Sequence, residues 1–349
     1  MRKTAIGAGL LSGLLFGIAT PLSKLLLQNL NSFQLAGLLY LGAGAAMIPF
    51  ILKPDARVTL LFAGKNLIRT LGILFFGGLS GPLLLMAGLR AANAASVSIW
   101  LNMELVATAL LGVLFFKDSL DVFTWLAVGL TVCAGAVTVM GEGAGGGISA
   151  LFITAACFCW GMDNHLTAIT DGATPQAVTF VKGIMAGLVN FLIGLSIADT
   201  PAVFSRIYPV LIVGGFSYGL SIVLYVLSAQ NIGAVRGQIL FSTAPLWGVV
   251  LSYIMFRDSF AWTHIISLLL LTLAVIVINT FTHGHPHRHE QMEHVHYHRH
   301  NDAHHNHVHE DGFHNTGKGH SHLHTHKALT HEHPHFPDLH HRHSHPRRK

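Results

Sequence analysis

The sequence predicts an all-α integral membrane protein, with ten transmembrane helices arranged as two inverted five-helix repeats and a disordered histidine-rich tail. Three observations carry this reading. Apolar blocks long enough to cross a bilayer recur from Thr4 to Phe281. Short segments of the first half reappear in the second at nearly constant offset. From Thr282 onward the apolar pattern stops and histidine recurs every second or third residue.

Composition excludes an ordinary soluble domain. Charged residues make up 11% of the 349-residue chain, against about 25% in typical globular proteins. Mean hydropathy is +0.52 even with a very polar tail included. Crossing ~30 Å of hydrocarbon takes roughly 20 helical residues. Helix is the default because lipid offers no partner to exposed backbone N–H and C=O groups. The alternating strands of an outer-membrane barrel are not evident. The net charge of +5 lies mostly at helix ends and in the tail, so it marks no folded nucleic-acid-binding surface. Cys133, Cys157 and Cys159 fall inside apolar runs and imply no disulfide framework.

The apolar blocks give spans at 4–27, 33–52, 67–89, 94–116, 122–141, 147–168, 175–198, 207–229, 233–256 and 260–281. The breaks between them carry turn and helix-start chemistry, as at Asn31-Ser32, Lys53-Pro54-Asp55 and Thr174-Pro175. Met1 to Ala19 imitates a signal peptide. Because Leu15-Phe16-Gly17 has a counterpart in Cys159-Trp160-Gly161, 144 residues on, the run is read as an uncleaved first helix. Phe115-Phe116-Lys117-Asp118-Ser119-Leu120 likewise returns as Met255-Phe256-Arg257-Asp258-Ser259-Phe260, 140 residues on. The Gly-rich stretch from Gly141 to Gly147 divides the two copies, giving segments 1–141, 142–281 and the tail 282–349. Five spans per copy, an odd number, put the second in the opposite orientation.

Lys and Arg are enriched in loops that share one side when the N-terminus is inside: Arg2, Lys3, Lys53, Arg57, Lys65 and Lys117. Lys24, Arg90, Arg206 and Arg257 then lie toward the outside. An even number of spans returns the tail to the cytoplasm, which places the chain in the inner membrane as a multi-pass protein.

Ten helices in two halves, Trp160-Gly161 early in the second, and Lys117-Asp118 and Arg257-Asp258 closing each fourth helix resemble the EamA-type drug/metabolite transporter superfamily. That family commonly ends the fourth helix on a Gly-Glu-x-Leu-type segment, from which this sequence departs. The resemblance covers roughly 4–281 and implies ATP-independent export or exchange of small metabolites, amino acids or drugs through a central cavity. No Gly-x-x-x-x-Gly-Lys-Ser/Thr phosphate loop is present.

Ionisable groups inside a spanning helix are costly, and they face a cavity, pair, or sit near an end. Glu104, beside Asn102 in the fourth span, is a candidate coupling carboxylate or a buried structural partner. Lys182 in the seventh span can snorkel, meet an anionic substrate, or pair with Glu104 or Asp163. The sixth span carries Cys159, Met162, Asp163, Asn164 and His165. At about 100° per residue, Cys159, Met162 and Asp163 share a face with His165 close by, a donor set suited to a borderline divalent cation. The alternative is a helix whose polar end lines a substrate cavity. Tyr218 and Tyr225 in the eighth span, with Arg236 and Gln238 in the ninth, add candidate polar contacts. Pro21, Pro82 and Pro245 are candidate hinges or static kinks.

Of 26 histidines, 24 lie between residues 283 and 345. Twenty-three of them run in groups: His283, His285, His287 and His289, then His294, His296, His298 and His300, then His304, His305, His307 and His309. His320, His322, His324 and His326 follow, then His331, His333 and His335, and finally His340, His341, His343 and His345. Alternate imidazoles can wrap Zn, Ni, Co or Cu. With too few apolar residues for a core, the tail is expected to stay disordered until loaded. Three functions stay open: a metabolite or drug exporter with a metal-binding tail, a divalent-metal exporter, and a membrane-anchored metal buffer. None is an enzyme and none requires a cofactor beyond the tail's metal. Expected partners are the bilayer and a small-molecule or ion substrate, with homo-oligomers left open and no nucleic acid.

Overall fold

The computed structural model describes residues 2–28, 30–52, 57–116, 120, 122–170, 174–198, 204–232, 240–257 and 261–280, with four short strands between 284 and 334. Eight helices among these residues are long and apolar enough to cross a membrane. They are α1 (Thr4–Leu26), α2 (Ser32–Ile51), α3 (Gly64–Ala91), α4 (Ala94–Phe116), α5 (Val122–Gly141), α6 (Gly146–Thr167), α7 (Pro175–Ser196) and α8 (Ile207–Tyr225). Two shorter apolar helices follow, α9 (Ala244–Phe256) and α10 (Trp262–Val277). The expected ninth span began at 233; residues 233–239 lie outside the described residues.

Local chemistry explains the helix starts. Asn31 accepts from Gln34 N at 2.8 Å while Gln34 Oε1 accepts from Asn31 N at 3.2 Å, a reciprocal capping box that opens α2. Thr174 caps α7 through Ala177 N, and Pro175 fills a first-turn position whose N–H needs no partner. Pro245 stands in the first turn after a break at 242–243, whereas Pro82 lies within α3 where its π-wound stretch passes into α-helix, so its missing N–H falls inside the span. The third span starts at Gly64 rather than 67, because Asn66 donates to Leu60 O and holds the polar residues Lys65 and Asn66 in the first turn.

Apolar side chains cover the outside, with Leu52, Leu114, Met140, Leu151, Ile254 and Trp262 well exposed. Small and polar residues gather where helices meet, as expected where lipid, not water, surrounds the bundle. The closest pairing is α2 on α7. A Cβ on Gly183 would stand 2.6 Å from Gly44 N and 2.7 Å from Tyr40 O, so the two backbones touch only because both positions lack side chains. Ser12 and Ser221 donate to each other's carbonyls at 2.8 and 3.0 Å, joining α1 to α8. Thr138 and Ser267 join α5 to α10 at 2.9 Å. The most extensive pairings are α2–α7, α3–α6, α2–α8, α1–α8 and α5–α10.

Three stretches are wound as π-helix: Ile73–Ser80 in α3, Gly112–Phe116 in α4 and Gly214–Leu220 in α8. The first and last occupy the third helix of each half. Nothing in these apolar, Gly-containing sequences announced wider turns.

The tail departs from the expected disorder at four strands: β1 (Gly284–His289), β2 (Met292–His298), β3 (His320–His326) and β4 (Leu329–Pro334). β1 pairs antiparallel with β4, and β2 with β3. Strict alternation of histidine with Val295, Tyr297, Leu323 and Thr325 gives the period-two pattern of an extended chain. The register sets His294 opposite His324, His296 opposite His322 and His298 opposite His320. On the other ladder His285 faces His333 and His287 faces His331. The remaining tail histidines lie outside the described residues, apart from His289 and His326 in β1 and β3.

Candidate functional site

The polar residues of α6 make it the hub of the site. Asp163 is buried and its Oδ2 holds Lys182 Nζ of α7 at 2.6 Å. Thr167 Oγ1 donates to Asp163 Oδ1 at 3.4 Å. One residue on, roughly 100° around the helix, Asn164 Nδ2 donates to Glu104 Oε1 of α4 at 2.7 Å. Adjacent residues of α6 thus bind a cation carrier on one neighbour and a carboxylate on another. Lys182, expected to snorkel, reach a substrate or pair, is paired with Asp163.

Glu104 owes its position to a break in α4. The helix is interrupted by turn geometry at Leu101 and Asn102 and restarts at Met103, so Glu104 lies in the first turn of the new segment. Short-range bonds carry the chain through the turn: Glu104 N donates to Leu101 O at 3.2 Å and Leu105 N to Asn102 O at 3.0 Å. Asn102 Nδ2 donates to Ile99 O at 3.0 Å. The carbonyls of Trp100 and Leu101 at the break meet Cys157 Sγ at 3.8 and 3.6 Å.

The wide turns of α3 are held in the same way. Tyr40 Oη of α2 donates to Gly77 O at 2.6 Å, Trp160 Nε1 of α6 donates to the same oxygen at 3.4 Å, and Asn190 Nδ2 of α7 donates to Gly78 O at 2.9 Å. Non-standard helix at membrane depth needs such partners. A Cβ on Gly77 would collide with the Asp163 carboxylate, so the acid lies directly on the α3 backbone. Tyr40, Gly77, Trp160 and Asn190 were not singled out from sequence as site residues; a phenol, a glycine pair, an indole and one amide in apolar helices carry no local mark.

His165 is turned away from Asp163. Its Nε2 lies 3.0 Å from Thr108 O and its ring stacks on Phe116 at 4.3 Å. Among the described residues, no three His, Cys, Asp or Glu stand close enough to hold a metal ion. The set Cys159, Met162, Asp163 and His165 is therefore not gathered, since Asp163 and His165 face different helices. Tyr218 sits in the π-segment of α8, 5.9 Å from Tyr40 and 5.7 Å from Phe16 by ring centroids. Tyr225 packs on Phe241 at 5.3 Å. Tyr40 thus links this aromatic group, drawn from both halves, to the ionic site of α3, α4, α6 and α7. Gln238 and Arg236 lie outside the described residues.

A multi-pass helical bundle with a buried ion pair and broken helices at its centre has the build of a membrane transporter. The EamA-like transporter family model matches the chain twice, over residues 3–140 and 147–280, and the chain belongs to that family. An uncharacterized transporter of Methanothermobacter thermautotrophicus is 27% identical over 286 residues, 75% of this chain and 82% of the relative. A solved crystal structure shares the fold with a TM-score of 0.59 at 16% identity, covering 80% of this chain and 97% of the other. The protein is a membrane transporter rather than an enzyme, and works on a small-molecule substrate from within the bilayer.

Proposed function

We propose that this transporter is a ten-span exporter of small metabolites or drugs across the inner membrane, built from inverted halves at 1–141 and 142–281. Its tail, 282–349, binds divalent metal on the cytoplasmic side. The observation that carries the transport reading is the Asp163–Lys182 pair, buried beside Glu104 where α3, α4, α6 and α7 meet. An anchor has no use for buried ionisable groups, whose desolvation must be offset inside the bundle. The pair supplies either sign of charge to a substrate that separates it. Glu104, with one carboxylate oxygen on Asn164, serves as the coupling carboxylate. Asn102, Tyr218 and Gln238 complete the pathway.

The tail reading rests on histidine spacing, and the facing histidines of the two ladders give it support. Backbone partners on an antiparallel ladder stand about 4.5–5.5 Å apart, near enough for two histidines so paired to reach one Zn, Ni, Co or Cu ion. Export of the metal itself would need ligands in the bundle. Because Asp163 and His165 are engaged on Lys182 and Thr108, the tail is read as a regulator or store rather than a feeder of the pore.

The test is a metabolite and metal accumulation screen in cells carrying the full chain, a chain ending at Thr282, or Asp163→Asn. The expected result is one class of small organic solute lowered by both the full and truncated chains but not by Asp163→Asn, with Ni, Co and Zn binding lost only on truncation. Lowered cellular metal that depends on Asp163, with no organic solute changed, would reverse the reading toward metal export.

A further inference from the structure

Pro82 has no N–H to give, and it lies inside α3 where the π-wound stretch Ile73–Ser80 passes into α-helix. Any other residue there would bond the carbonyl four positions back in α-winding, or five back in π-winding. Those oxygens belong to Gly78 and Gly77. The winding just before Pro82 is of the wide kind, since Gly81 N donates to Phe76 O. Side chains from other helices bond both oxygens. Gly77 O accepts from Tyr40 Oη at 2.6 Å and Trp160 Nε1 at 3.4 Å, and Gly78 O accepts from Asn190 Nδ2 at 2.9 Å. The two carbonyls that Pro82 would have served are thus met from α2, α6 and α7.

The same two glycines seat the ion pair. A Cβ on Gly77 would run into the Asp163 carboxylate. One on Gly78 would collide with Ala186 and stand 3.3 Å from Lys182 Cγ. Gly77 therefore carries Asp163 on its open face and Tyr40 with Trp160 on its oxygen, while Gly78 carries Lys182 and Asn190 in the same way. Lys182, Ala186 and Asn190 recur at four-residue steps, so one stripe of α7 follows α3 past the wide turn. Asn190 is fully buried. Its amide orientation is fixed by chemistry, because a carbonyl only accepts and so takes the nitrogen rather than the oxygen.

We propose that Asn190 is a positioning residue for the Asp163–Lys182 pair, standing in for the N–H that Pro82 lacks. By holding Gly78 O it keeps the wide turn open, and the open turn sets Gly77 against Asp163 and Gly78 against Lys182. Moving the turn along by one residue rotates the glycines by about 100° and shifts them by about 1.5 Å, which takes them away from the carboxylate and the lysine. Asn190 acts on the pair through the α3 backbone. The inference rests on the pathway proposed above, in which that pair meets the solute.

The experiment is a double-variant cycle in the full-length protein. Asn190→Leu is close in size but cannot donate, so Gly78 O is left buried without that bond. Pro82→Ala restores the missing N–H and lets α3 tighten to four-residue winding, where the new donor reaches Gly78 O. Asn190→Leu alone is expected to lower Tm in detergent by about 4 °C. Added to Pro82→Ala it should lower Tm by less than half as much. Uptake into inside-out vesicles of the solute found in the screen should be lost in Asn190→Leu and stay lost in the double variant, because the tightened turn no longer seats the pair. Tm losses that simply add would overturn the stand-in for Pro82. Wild-type uptake in Asn190→Leu, or uptake that returns together with stability, would overturn the positioning role, since a merely structural bond restores both. Asp163→Asn in the same vesicles separates the two readings. Uptake intact there removes the pathway and the positioning role with it, while the Tm cycle still decides whether Asn190 replaces the Pro82 N–H. Should Asn190→Leu not fold, Asn190→Ala runs the same cycle with the same outcomes.

Discussion

Asp163 and Gly77 are in contact across α6 and α3, the carboxylate resting on a backbone position with no room for a methyl group. The acid is thereby fixed between Lys182, 2.6 Å away on α7, and the π-wound stretch Ile73–Ser80. Ion pair, close helix contact and irregular helix are one construction, and the first expectations concern its parts.

Gly77→Ala should displace Asp163 and separate α3 from α6. Gly129→Ala on α5, where an added methyl meets nothing within 4 Å, is the matched control. Overpacking a tight site costs about 1–3 kcal/mol, whereas Gly-to-Ala at an open helical position is neutral to stabilising. Thermal unfolding of the two variants in detergent should therefore move in opposite directions.

Removing one member of the ion pair should cost more than removing both. Lys182→Met or Asp163→Asn alone leaves a buried group without its partner, at about 3–5 kcal/mol. Lys182→Met combined with Asp163→Asn should recover much of that stability while transport stays lost. Additive single effects in the double variant would mean that the two residues act separately.

Gly183→Ala tests the α2–α7 seam. The added Cβ would meet the backbone of Gly44 and the carbonyl of Tyr40 at 2.6–2.7 Å, atoms that cannot swing aside as a side chain can. Lower Tm is expected, together with weaker function, because Tyr40 also holds Gly77 O. A native Tm would show that the seam relaxes freely.

Arg257 ends α9 in the left-handed conformation, φ 53. A side chain costs about 1–2 kcal/mol there, a cost glycine avoids. Arg257→Gly should raise Tm in detergent; a lower Tm would mean that the guanidinium makes a contact worth more than the backbone strain.

Much of the architecture could be read from the chain because bilayer thickness sets helix length: among the described residues, eight of the ten apolar runs return as helices long enough to cross and two as shorter ones. Glu104, Asp163 and Lys182 stood out for the same reason, being costly groups in apolar runs. Their arrangement did not. The break at Leu101–Asn102 that puts Glu104 at a helix start, and the wide turns whose carbonyls Tyr40 and Asn190 bind, depend on contacts between distant helices. His165 shows the opposite limit: helical phase set it near the Cys159–Met162–Asp163 face, yet stacking on Phe116 turns it to Thr108. In the tail, low apolar content argued for disorder, whereas the two-residue histidine period suits extended strands, and four strands are present.

The most direct measurement is export of the solute identified in the screen by inside-out vesicles holding equal amounts of wild type, Asp163→Asn, Lys182→Met, Glu104→Gln and the chain ending at Thr282. The expected result is loss of uptake in all three bundle variants and retention in the truncated chain. Uptake at wild-type level in Asp163→Asn and Lys182→Met would contradict a substrate pathway built on this ion pair.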